Sequence, residues 1–131
     1  MKVPFNINLS GKTAIVTGGS GTLCSAMTYG LAVSGAKVAI IGRNIEKLAS
    51  VSEKLTKNAL DEYNKDVTIK GYSCNVINKD ELTAAYETIK NELGSCDILI
   101  NGAGGNQPGA ITSIEMLKKD KEDSDYSFWN L

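Results

Sequence analysis

Histidine is absent from this chain of 131 residues, cysteine occurs three times without a CxxC pair, and proline only twice. With no histidine and with Cys24, Cys74 and Cys96 far apart, no metal-ligand spacing can be assembled. An odd, scattered set of cysteines also gives no disulfide framework, which fits a reducing compartment, most simply the cytoplasm. Long apolar runs are missing as well: nothing approaches the roughly 18 consecutive residues of a membrane span. The opening "MKVPFNINLSGK" lacks the apolar centre of a signal peptide. Nor does one sign of charge dominate, because 14 Lys and Arg stand against 15 Asp and Glu, a formal net charge of -1. Neither nucleic acid nor an anionic membrane is therefore expected as a partner.

What is present is one domain's length of chain, 42% hydrophobic, enough for a single core. A β-branched run from Thr13 to Thr17 ends in glycines, the mark of a buried strand entering a tight turn. From Thr22 to Ser34 the residues Leu23, Met27 and Leu31 recur at four-residue steps, with small Ala26, Gly30 and Ser34 beside them, before Gly35. This predicts a helix with a narrow face lying close on a sheet. "AKVAIIG" repeats the buried-strand pattern. Asn44 can cap a long helix with the stripe Ile45, Leu48, Val51, Leu55 and Ala59. "DVTIKGYSC" is a third strand, a helix follows from about Asn78 to Glu92 with Asn78 and Glu81 placed as in a capping box, and "CDILING" is a fourth strand. Strand and helix in strict alternation predict an α/β fold, a Rossmann-like doubly wound parallel sheet covered on both faces. Residues 1–110 are expected to form this α/β segment, and 111–131 a charged loop or tail ending in Phe128, Trp129 and Leu131.

"VTGGSGTLCSAM", Val16 to Met27, lies between the first strand and first helix. A phosphate-binding turn needs little side-chain bulk where backbone amides approach a pyrophosphate, followed by a helix whose N-terminal N–H groups favour negative charge. Gly18, Gly19 and Gly21 supply the small residues, and Ser20 a hydroxyl for ribose or phosphate. Its place after a strand and before a helix is the context such a motif requires. Thr22 and Cys24 stand where further glycines are usual. A small Cys24, read as an inert buried residue, fits with a slight displacement of the helix, and Gly21 is expected to take the permissive backbone conformation beside β-branched Thr22. About twenty residues beyond the glycines, NAD-binding folds place an acid for the ribose 2′-hydroxyl, whereas an arginine suits a 2′-phosphate. Here "IIGRN" has Gly42, then Arg43 and Asn44, so NADP is expected over NAD.

"TGGSGTLC", "IGRN", "SCNV" and "INGAGG" together resemble, in order and spacing, the short-chain dehydrogenase/reductase family over almost the whole chain. The resemblance implies that the TGxxxGxG loop is Thr17 to Cys24, placing Gly18 to Leu23, with Thr22 among them, at the pyrophosphate. It puts Asn75 and Val76, in place of the usual Asp-Val, beside the adenine, with the Asn75 amide able to bond the ring. The family's NNAG segment becomes Asn101, Gly102, Ala103 and Gly104, with Gly102 as the departure; Asn101 steadies the central strands, and Ala103 and Gly104 pass close to the ribose. More narrowly, "GAGGNQPGA" and "GTLCSAM" resemble the D-mannonate oxidoreductase, or fructuronate reductase, branch. The implied activity is hydride exchange between a nicotinamide dinucleotide and a small carbonyl or alcohol substrate, such as a sugar acid, in a homo-oligomeric full-length enzyme. The family's catalytic Ser and YxxxK follow the NNAG segment by a distance that passes Leu131, so this chain is expected to bind cofactor without turnover. "YETIK", Tyr86 to Lys90, has the right spacing but precedes "NGAG", and reads as an ordinary surface pair. The alternative is a non-catalytic NADP(H)-binding sensing or interaction module whose charged tail moves Phe128 and Trp129.

Overall fold

The structure, a computed structural model, describes residues 6–104. Four strands and three helices alternate: β1 Thr13–Thr17, α1 Thr22–Val33, β2 Lys37–Gly42, α2 Ile45–Tyr63, β3 Ile69–Ser73, α3 Lys79–Glu92 and β4 Ile98–Asn101. The strands pair only in parallel, in the order β3-β2-β1-β4. Register sets Ile15 of β1 beside Ala39 of β2 and Leu99 of β4. Because strand side chains alternate, Ala14, Val16, Val38, Ile40 and Ile69 pack with α1 and α2 on one face, while Ile15, Ala39 and Ile41 pack with α3 on the other. Chain order reverses between β1 and β4, which makes their carboxyl ends the switch point of the sheet, where open α/β folds bind ligands.

The caps follow the asparagines. Asn44 Oδ1 accepts from the Lys47 amide at 2.9 Å, and α2 ends on left-handed Asn64. Asn78 Oδ1 accepts from the Asp80 and Glu81 amides at 3.1 and 3.2 Å. The expected capping box closes differently: the Glu81 carboxylate takes the Asn75 amide at 2.9 Å and the Asn78 side-chain amide at 3.0 Å. Glu81 thereby fixes the loop after β3.

In α1 the four-residue period holds but its phase is shifted. Leu23 and Met27 are 69% and 38% exposed, while Cys24, Thr28 and Ala32 are buried against the sheet. One residue is about 100° of helix rotation; Leu31 of the expected stripe is half-buried and packs on the core, and Cys24 is held against Gly102 beyond β4. Buried Tyr29 instead reaches sideways and donates to Glu62 Oε2 of α2 at 2.9 Å; burial, then that bond, push its pKa up to about 12. The α2 stripe is as expected at Leu48, Val51, Leu55 and Ala59, but Ile45 is half-exposed at the helix entrance. On the α3 face a groove of about 740 Å³ runs over Ile15, Ile41 and Leu99 beside Tyr86.

Candidate functional site

At the switch point the chain leaving β1 touches the chain leaving β4. Thr17 Oγ1 accepts hydrogen bonds from the Gly102 and Ala103 amides at 3.0 and 3.1 Å and faces the Ile100 carbonyl at 3.5 Å. Gly18 has φ of 68°, and a Cβ there would lie 2.6 Å from the Gly102 carbonyl oxygen. Both conformation and contact therefore demand glycine. Gly19 is small for another reason: a Cβ would meet Ile40 Cγ2 at 2.6 Å, so it serves packing on β2.

Gly21 does not take the permissive conformation expected of it. It is the N-cap of α1 with φ of -78° and ψ of 159°, extended backbone open to any residue. The left-handed residue is Gly18, three positions earlier. Thr22 is the first residue of the helix proper, past the turn, where a β-branched side chain costs little. The amino end of α1 has no side-chain cap and no acid in its first turn, whereas α2 and α3 have both. The amides of Thr22, Leu23 and Cys24 consequently have no acceptor among the described residues, and half-buried Ser20 lies beside them.

Cys24 is buried, as expected, and its room comes from the chain just beyond β4: a Cβ at Gly102 would collide with Cys24 Sγ. Arg43 is exposed at the end of β2, its carbonyl held by the Ser73 hydroxyl at 3.3 Å, and its guanidinium has no ion-pair partner among the described residues. Asn44 has its oxygen committed to the cap, which leaves only its side-chain N–H groups to face outward chemistry. Asn75 Oδ1 accepts from the Ile77 amide at 3.3 Å, again leaving the side-chain N–H groups to donate, with half-buried Val76 next to it. Asn101 was expected to steady the central strands; its side chain makes no hydrogen bond among the described residues, and the hydroxyl of Thr17 does that work. Gly104 has open space where a side chain would be, and Ala103 lines the upper end of the groove.

Thr17 opens the loop motif, but sequence reasoning gave it no role of its own in the site. Its signal was present, a hydroxyl ending an otherwise apolar buried strand. Tyr86 also differs from expectation: it is half-buried in the groove against the α3-side core, while Lys90 is exposed. Phe128, Trp129 and the charged run before them lie outside the described residues.

A parallel α/β sheet with a glycine turn and an uncapped helix at its switch point defines a nucleotide-binding class of fold. The short chain dehydrogenase family matches residues 12–123, and the chain belongs to it. The uncharacterized oxidoreductase UxuB of Bacillus subtilis is 43% identical over 117 residues, 89% of this chain and 40% of that protein. Among solved structures, a proposed D-mannonate oxidoreductase from Haemophilus influenzae with bound NAD superimposes with a TM-score of 0.70 at 33% identity, covering 96% of this chain and 42% of that one. A metagenomic short-chain oxidoreductase in complex with NADP gives a TM-score of 0.67 at 29% identity, covering 77% and 42%. The chain thus spans about two fifths of the length of these relatives.

Proposed function

We propose that residues 1–110 form the dinucleotide-binding unit of a short-chain oxidoreductase that interconverts a ketone and an alcohol, with NADP preferred over NAD. The observation that carries this reading is the uncapped, acid-free amino end of α1, held against the end of β4 by the Thr17 hydroxyl and the Gly18–Gly102 contact. These residues fit a dinucleotide. The amides of Thr22 and Leu23 and the Ser20 hydroxyl would hold the pyrophosphate, at the end of the turn Gly18, Gly19 and Gly21 that is folded tightly against β2 and Gly102. The side-chain N–H groups of Asn75, beside Val76, would face the adenine, and Asn101 to Gly104 would pass the ribose. When bound, the nicotinamide supplies hydride transfer to or from a carbonyl or alcohol carbon. The described residues bind and orient: Tyr29, Tyr63 and Tyr72 belong to α1, α2 and β3, and Tyr86 belongs to α3 beside the groove.

Relatives with bound NAD and with bound NADP both support a nicotinamide dinucleotide. The preference for NADP rests on Gly42 and Arg43, since no carboxylate at 42 would grip a 2′-hydroxyl and the Arg43 guanidinium is uncommitted among the described residues. The likeness to the proposed D-mannonate oxidoreductase supports a sugar acid as the substrate of this reading.

The test is cofactor affinity in two variants. Arg43→Ala should weaken NADPH about tenfold or more while leaving NADH within about twofold, a charge-assisted bond being worth roughly 1.5–3 kcal/mol. Gly42→Asp is sterically admissible, because a Cβ there meets only the Leu48 side chain, at 3.4 Å, and it should reverse the preference. Unchanged NADPH affinity in both variants would refute the NADP reading.

A further inference from the structure

Two departures from the family pattern lie far apart in the chain, Cys24 at position eight of the loop motif and Gly102 at position two of the NGAG segment, and in the structure they touch. Cys24 is buried, 7% exposed, on the sheet-facing side of α1. A Cβ built at Gly102 runs into its Sγ, and lies 2.8 Å from the Thr17 carbonyl oxygen. The same Gly102 supplies an amide to Thr17 Oγ1, and its carbonyl is the atom against which Gly18 is packed. We infer that Cys24 and Gly102 are a single reciprocal exchange, in which the sulfur occupies the space a side chain at 102 would take and so sets the height of the Gly102–Ala103 backbone beside the cofactor crevice. Cys24 is then a positioning residue that acts through Gly102, not a thiol kept for its reactivity. This rests on the reading of that crevice as the dinucleotide site.

The interlock has a consequence that a merely buried cysteine would not have: the cost of a side chain at 102 depends on what stands at 24. Gly102→Ala, Cys24→Gly and the pair together form a double-mutant cycle, read by unfolding midpoint and, at a temperature where every variant is folded, by NADPH affinity. Gly102→Ala should lower affinity in both backgrounds, but about tenfold more with Cys24 present than in the Cys24→Gly background, contacting residues being able to couple by that much. The cost that remains comes from the Thr17 carbonyl, a backbone atom that a Cβ at 102 would still crowd at 2.8 Å in both backgrounds, so the rescue is partial. If Gly102→Ala fails to fold alone, folding of the double variant is the expected rescue. Equal damage in both backgrounds, including failure to fold in both, would overturn the interlock. Coupled midpoints with affinities that do not couple would reduce Cys24 to a structural residue and overturn its positioning role. No NADPH binding by the unaltered chain would overturn the cofactor reading and the positioning role with it, while the midpoints would still decide the interlock.

Discussion

The backbone of Gly102 and Ala103 has just left the sheet, and its amides have no further strand partner; the Thr17 hydroxyl accepts both. Thr17→Val keeps the shape and removes that acceptor, and should cost about 1 kcal/mol in urea unfolding, with Thr17→Ser close to the parent. A valine variant as stable as the parent would mean that water replaces the hydroxyl fully. At this scale the sequence was legible in part. The glycine cluster announced the turn, and the required left-handed residue proved to be Gly18. The reasons particular to each position, Gly19 against Ile40 and Gly102 against Cys24, are contacts between segments, and no local spacing carries them.

Among the elements, β1 was readable to the residue because a buried parallel strand is a continuous β-branched run bounded by glycine. The amphipathic α2 was readable because most of its stripe meets the core. In α1 the stripe Leu23, Met27 and Leu31 with small Ala26, Gly30 and Ser34 beside it suggested the face against the sheet; the structure packs Leu31 there but buries Cys24, Thr28, Tyr29, Ala32 and Val33 in place of Leu23, Met27 and Ala26. Met27→Ser should therefore shift stability by no more than about 0.5 kcal/mol, whereas Ala32→Leu, beneath the helix, should cost about 1–3 kcal/mol by overpacking. Thermal unfolding of the two variants checks the assignment, and the opposite ranking would restore the phase read from the sequence.

For the molecule as a whole, alternation of strand and helix fixed the architecture, because parallel neighbours need a crossover and each crossover here is a helix. The strand order could not be read from alternation. It is the order β3-β2-β1-β4 that brings the ends of β1 and β4 together and places Gly18, Gly102 and the amino end of α1 in one crevice. Arg43 and Asn75 stand at the carboxyl ends of the strands on the far side of β1, the side on which an adenosine would lie. The most direct test of this account is the amide spectrum of the isotopically labelled chain during titration with NADP⁺. The account predicts saturable shifts concentrated at Gly18 to Cys24, Arg43, Asn75, Val76 and Asn101 to Gly104. No saturable shift, or shifts centred on the amino edge of the sheet at Thr13 and Asp97, would contradict it.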